Sequence, residues 1–193
     1  MRLFSVLVVV AATVLLQSCE AFESSRQREA QEQLNVDPAF DQAVLVDLAV
    51  LHPAVHSPHA WLGAALRNSA RRHLIDAKRY SVPTNDYVDG IVGPTHDAPS
   101  PEKLIEPLKA DAVLVFFLEN WETQQLLSRG RCYASGRAVV YGPTGPIWER
   151  RFVDWTMVAP SNVTASNRDT VEEDLLGQLV SEVLAPLPPK RLE

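Results

Sequence analysis

The chain has 193 residues, and its 24 acids against 18 lysines and arginines give a formal net charge of −6. That acid excess excludes a protein built to neutralise nucleic-acid phosphates, and two cysteines, Cys19 and Cys132, are too few for a disulfide-held fold. Cohesion must come from an apolar core, which one domain of about 150 residues supplies by burying about two-thirds of its unfolded surface.

The chain opens MRLFSVLVVVAATVLLQSCE. Arg2 is a short positive region, Leu3 to Leu16 an apolar run, and Ser18 a small residue just before Cys19, which is the order of an export signal. At about 1.5 Å per residue the run spans roughly 21 Å, short of a hydrocarbon core of about 30 Å, so it does not suit a permanent span. Leu16-Gln17-Ser18-Cys19 resembles the lipobox of bacterial lipoproteins, although Gln17 is bulkier and more polar than usual there. The resemblance implies that residues 1–18 are a cleaved signal peptide and that Cys19 carries diacylglycerol; an ordinary secretory cut nearby is the alternative. Two or three acyl chains, at about 0.8 kcal/mol per buried methylene, anchor a protein stably. With Arg2 gone the acid excess grows, so lipid and not surface charge would hold the chain to a membrane.

Residues 19–43 are polar with scattered apolar positions and read as a tether. A single domain is expected over 44–187, with 188–193 as a tail. VLVDLAVL, from Val44 to Leu51, is a buried-strand run ended by His52-Pro53. Ser57-Pro58 supplies a cap and a first-turn proline for a helix in which Trp61, Leu62, Ala65, Leu66, Ser69, His73 and Leu74 recur at helical spacing. Arg67, Arg71 and Arg72 fall around its other side. Tyr80 to Val82 suggests a short strand, and the proline-punctuated stretch up to Ser100 reads as loop with one helical turn near Asp86 to Ile91. Ser100-Pro101 opens another helix.

Residues 112–118 are apolar on both faces, as in a deeply placed strand, with an amphipathic continuation past Glu119. From 131 to 141 the pattern alternates. Arg131, Tyr133, Ser135, Arg137, Val139 and Tyr141 point one way, and Cys132, Ala134, Gly136, Ala138 and Val140 form a small face against which a helix can sit. Gly142-Pro143-Thr144-Gly145 is a turn and Ile147 to Trp155 a returning strand. Asp169 with Glu172 gives a capping signal for a closing helix with an apolar stripe through Val171, Leu175, Leu176, Leu179, Val180 and Val183. These elements make an α+β domain with a mixed or antiparallel sheet of about four to five strands and three to four helices.

The order of lipobox, strand, proline-containing loop, helix, Tyr80-x-x-Pro83, Ala110-Asp111-Ala112-Val113-Leu114, Trp121 and a hairpin closing on Pro146-Ile147-Trp148-Glu149 resembles a family of bacterial lipoproteins of unknown activity. That family is similar to the wider group sharing the fold of the TolB amino-terminal domain, which includes the curli-secretion lipoprotein and the lipoprotein activator of a penicillin-binding protein. The resemblance spans about Val44 to Trp155. It implies a TolB-like α+β domain in the bacterial envelope, acting through protein contacts and carrying over no catalytic residue. The family's first loop tends to hold proline and asparagine, so His52, His56 and His59 inherit no role.

Those three histidines, within LHPAVHSPHAW, are the candidate metal ligands, with His96 and Asp97 as distant additions. Pro53 and Pro58 oppose a continuous helix that would set them on one face, and an extended loop holds His52 and His56 up to about 13 Å apart against zinc–nitrogen distances near 2 Å. Solvated loop histidines, or sensors of acid, are the competing readings. Cys132 reads as a packed thiol with a reactive nucleophile as the alternative. Asp86 and Asp89 read as turn chemistry before an acid–base pair. No G-x-S-x-G, phosphate loop, dinucleotide fingerprint or H-E-x-x-H is present. Asn162-Val163-Thr164 forms a sequon that carries no meaning behind a bacterial lipobox.

Arg131, Tyr133, Arg137, Tyr141 and Trp155 have the composition of a protein-binding hot spot if they share one exposed sheet face. The reading that follows is a non-enzymatic, lipid-anchored interaction module that needs no cofactor. Its expected place is the periplasmic side of an outer membrane, since Glu20 is not the aspartate associated with inner-membrane retention. Its expected partners are the membrane through its lipid and another envelope protein, with self-association open and nucleic acid excluded. The rival is a small periplasmic metal-binding or hydrolytic protein built on the His52/His56/His59 loop.

Overall fold

A computed structural model of the chain describes residues 34–56, 61–93, 100–159 and 162–190. The signal peptide, Cys19, the Ser57-Pro58 cap, His59, His96 and Asp97 lie outside them. The described elements run β1 (Leu34–Val36), α1 (Pro38–Gln42), β2 (Leu48–Val50), β3 (Ala54–Val55), α2 (Trp61–Asp76), α3 (Asn85–Val92), α4 (Pro101–Leu108), β4 (Ala112–Glu122), α5 (Leu126–Arg129), β5 (Arg131–Gly142), β6 (Gly145–Val158) and α6 (Arg168–Leu184). The sheet order is β1-β6-β5-β4-β2, with β3 also on β4. β2 and β3 run parallel to β4, while β4, β5 and β6 are antiparallel. The class is the α+β open sheet expected, with six strands and six helices among the described residues.

Both additional strands have a local cause. β3 continues the line of β2 beyond Pro53, which has no N–H to give the ladder. Leu51 N still donates to Leu114 O at 3.0 Å and His56 N to Leu118 O at 2.9 Å on either side of that gap. β1 comes from the stretch expected to be tether. Asp37 caps α1 by accepting from Ala39 N at 2.7 Å, Pro38 fits its first turn, and Phe40 is buried, worth about 1.5–3 kcal/mol. One of the chain's two compact units begins at Asn35.

Alternation along β2 and β4 sends side chains to two covered faces. Ala49, Leu51, Val113 and Val115 pack with Val88 of α3 and Leu104, Ile105 and Leu108 of α4. Leu48, Val50, Leu114, Phe116 and Leu118 point the other way and are equally buried, beneath α2 and α6. The stripe read on α6 is buried at all six positions. Its capping box does not form, because Glu172 is only 4% exposed and binds Arg168 at 2.7 Å, which in turn donates to Thr123 at 2.9 Å.

Other departures are equally specific. β4 stays a strand to Glu122, broken by a bulge at Leu118–Asn120 in place of the expected amphipathic change. Tyr80 to Val82 gives a single parallel bridge, Ser81 to Asp47. Arg67 is not on the outer side of α2. It is 3% exposed, with Nε on Val50 O at 3.0 Å and Nη1 on Asp89 at 2.6 Å. Arg71 likewise turns inward to Pro83 O at 3.0 Å. Asp111 Oδ2 accepts from Val46 N and Asp47 N, both at 2.8 Å, and so fixes where β2 enters beside β4. Among the described residues no helix is long and apolar enough to cross a membrane.

Candidate functional site

The β5 alternation places Tyr133, Arg137 and Tyr141 on the sheet face that α3 and α4 only partly cover, with Arg131 exposed at the strand's start. Arg137 lies opposite Phe117 in register and stacks on its ring at 4.6 Å from the centroid, a contact worth about 0.5–1 kcal/mol at an exposed site. Glu149 of β6 sits 3.6 Å from Arg137 and 2.7 Å from exposed Arg151. The Glu149 bond, with Glu119 adding to it, raises the Arg151 pKa above its ordinary value. Tyr133 donates to Gln125 Oε1 at 3.4 Å. Burial pushes the Tyr141 hydroxyl above the usual phenol range, Arg137 opposing and Glu102 and Glu149 adding to the rise. Arg137 and Arg151 are matched by Glu149 within this face, which gives a mixed polar and aromatic contact surface.

Trp155 does not belong to that face. A bulge at Val153–Asp154, with Asp154 at φ 51° and bonded to Ser135, shifts the register so that Trp155 pairs with Ala134. Its ring lies 5.6 Å from Phe152, and the Arg150 guanidinium covers it at 5.1 Å, on the side that faces α6. The five-residue cluster read from the sequence therefore reduces to Arg131, Tyr133, Arg137 and Tyr141, with Phe117, Glu149 and Arg151 as members that alternation in β5 alone does not reveal.

His52 is exposed and lies against α2, where a side chain added at Gly63 would come 3.6 Å from its imidazole. His56 is exposed beyond β3, whose extended residues separate the two rings. Among the described residues no group of three or more His, Cys, Asp or Glu side chains is placed to hold a metal. Asp89 is engaged by Arg67, and Asp86 sits in the first turn of α3.

Cys132 is fully buried, and burial, with Glu172 and Glu122 adding, pushes its thiol up to about 12. A thiolate at neutral pH is thereby suppressed. Native protein at pH 7.5 is expected to show no measurable modification of Cys132 by a maleimide within an hour, with stoichiometric labelling in denaturant. Fast labelling of native protein would contradict the burial.

A cleft of about 480 Å³ opens between α5 and the end of β6, lined by Leu126, Leu127, Arg129, Val158, Ala159 and Val163. Leu127 and Val158 on its rim are 49% and 56% exposed. The sequence offers one signal for it, the Leu126-Leu127 pair set in a polar stretch.

The molecule thus belongs to the class of α+β open-sheet domains, with a partly covered sheet face that carries distinctive polar and aromatic side chains. Among solved structures it is similar to a PelC dodecamer from Paraburkholderia phytofirmans, solved as a single-substitution leucine-to-methionine variant, with a TM-score of 0.56 and 17% identity over 80% of this chain and 96% of that one. A second PelC dodecamer structure from the same organism gives a TM-score of 0.54 and 15% identity, covering 82% and 96%. The lipoprotein GNA1162 from Neisseria meningitidis is similar with a TM-score of 0.50 and 24% identity, covering 72% and 94%. At these identities the likeness is one of fold. No protein-family model and no curated protein sequence matches the chain.

Proposed function

We propose that this protein is a lipid-anchored bacterial envelope lipoprotein, held by Cys19 to the periplasmic side of an outer membrane and acting as a non-enzymatic accessory that binds other proteins. The observation that carries the reading is the pairing of an LQSC lipid-attachment pattern with a domain whose fold is also that of a lipoprotein. A binding role is supported by the Tyr133, Arg137 and Tyr141 face, since Tyr and Arg are the residue types that anchor interfaces. The dodecamers formed by PelC make self-association the first partnership to examine.

Cys19→Ser is the direct test. In a bacterial host the wild-type chain is expected to incorporate labelled palmitate and to sediment with outer membranes. The variant is expected to lose the label and the membrane fraction altogether. Equal membrane retention of the variant would overturn the lipid anchor. Chemical crosslinking of the membrane-bound protein, read by mass spectrometry, is expected to trap species well above the 21.4 kDa chain. Recovery of the monomer alone would remove the interaction role.

A further inference from the structure

The segment after α6 reads Ala185-Pro186-Leu187-Pro188-Pro189-Lys190. Three of its residues lack an N–H, so few backbone bonds can hold it. Leu187 N donates within the turn to Leu184 O at 3.0 Å, and Lys190 N crosses to Lys78 O at 2.9 Å. Two side chains supply the rest: Lys78 Nζ donates to Ala185 O, and the Tyr80 hydroxyl to Pro188 O, both at 2.8 Å. Leu187 is 1% exposed. Pro188 and Pro189 close over Phe40, Ala43, Leu45 and Tyr80, which form the root of the N-terminal segment. Residues 185–190, which include the start of the expected tail, are thus a strap tied at both ends to the turn that follows α2.

That turn has an unusual neighbour. His73, in the last turn of α2, accepts from Ala77 N and Lys78 N through its carbonyl, and its Nε2 is buried with no hydrogen-bond partner. A neutral imidazole tolerates this, whereas an imidazolium would place a second N–H without an acceptor beside the Lys78 ammonium. We propose that the strap Ala185–Lys190 is an acid-released clasp, with protonation of His73 as the trigger and Lys78 as the link to the strap.

The electrostatics agree in sign. The His73 pKa is lowered from its ordinary 6.5 by burial first and by Lys78 second, with Asp76 opposing. Lys78 and Asp76 both come from the end of α2. Glu182, the last acid of α6, acts on Arg150 instead. A histidine whose folded pKa is depressed binds its proton more readily once released. The closed strap is therefore favoured fully above pH 6.5 and loses that advantage as the pH falls toward the folded value, below which the penalty is constant. Opening uncovers Leu187, Phe40, Leu45 and Tyr80, an apolar surface at the base of the N-terminal segment that a partner could reach only in acid.

Amide hydrogen exchange of the full chain, corrected for intrinsic rates, tests this at pH 7.5 and 5.0. Protection at the Lys190 amide is expected to fall several-fold on acidification, while Val115 in β4 stays protected. In H73Q, which is neutral at both values, that fall is expected to vanish. In K78M, protection at Lys190 is expected to be lower at both values and nearly independent of pH. An undiminished fall in either variant, or none in the wild type, overturns the clasp.

Discussion

Gly136→Ala is expected to cost about 3 kcal/mol or more, a loss visible as a fall of roughly 6–12 °C in thermal midpoint. A Cβ at this position would lie 2.2 Å from Phe117 O, 2.9 Å from Phe152 Cζ and 3.2 Å from Leu118 Cα. Phe152 can shift its ring edge, but Phe117 O and Leu118 Cα are backbone of the neighbouring strand, next to the β4 bulge. Strand β5 would have to move away from β4 in the middle of the sheet. Gly177 in α6 is the matched control, because nothing lies within 4 Å of its added Cβ. Gly177→Ala is expected to gain about 0.5–1 kcal/mol from helix propensity alone. Urea denaturation of both variants checks the contrast, and equal small effects would mean that the strands can separate cheaply.

That glycine marks how far periodicity carries. The alternation from 131 to 141 is legible, and the small residues at Cys132, Ala134, Gly136 and Ala138 are buried as a set. The residue types suggest that they make room for a helix. At Gly136 the room is needed by the next strand's backbone and by Phe152, which depends on a bulge that a run of residue types does not announce. The same limit explains Trp155. Counting by twos from Ile147 assumes an unbroken ladder, and one extra residue at Val153–Asp154 moves every later side chain to the opposite face.

Capping and turn signals are legible where the residues act locally. Thr84 and Gly93 bound α3, with Gly93 at φ 70°, and Gly145 at φ 135° closes the hairpin. They fail where a side-chain pair outcompetes the backbone cap or where the surrounding stretch is polar. Glu172 gives up the capping box for Arg168 and a place in the core, and Asp37-Pro38 starts a helix in a stretch too polar to draw attention. The candidate surface follows the same division. Its β5 members are legible from alternation, whereas Phe117 and Glu149 come from the register of β4 and β6, which sequence pattern leaves open. The histidine loop stands out by composition, and composition is silent on convergence.

Arg67 shows what a partner distant in sequence is worth. β2 is the outermost named strand on its side of the sheet, and beyond the bridge where Leu48 N donates to Ser81 O no strand among the described residues serves its outer backbone groups. Arg67 Nε takes the Val50 carbonyl and its Nη1 reaches Asp89, which joins α2 on one face of the sheet to α3 on the other across that edge. The Arg67 side chain is 4% exposed and Asp89 57%. Asp89→Ala therefore strands a buried guanidinium whose partner was itself more than half exposed, and is expected to cost about 2–3 kcal/mol, below the roughly 3–5 kcal/mol of a fully enclosed pair. Arg67→Met keeps the apolar stem, removes the charge and leaves one carbonyl short of a donor, for about 1–2 kcal/mol. In the Arg67→Met background the Asp89→Ala change is expected to cost under about 0.5 kcal/mol, since no charge is left to strand. Urea denaturation of the two single variants and the double variant measures the coupling. A coupling above about 1.5 kcal/mol identifies the pair as the brace between the two helical layers, and strictly additive effects would assign the stability of that edge to the apolar cluster under α3 and α4 instead.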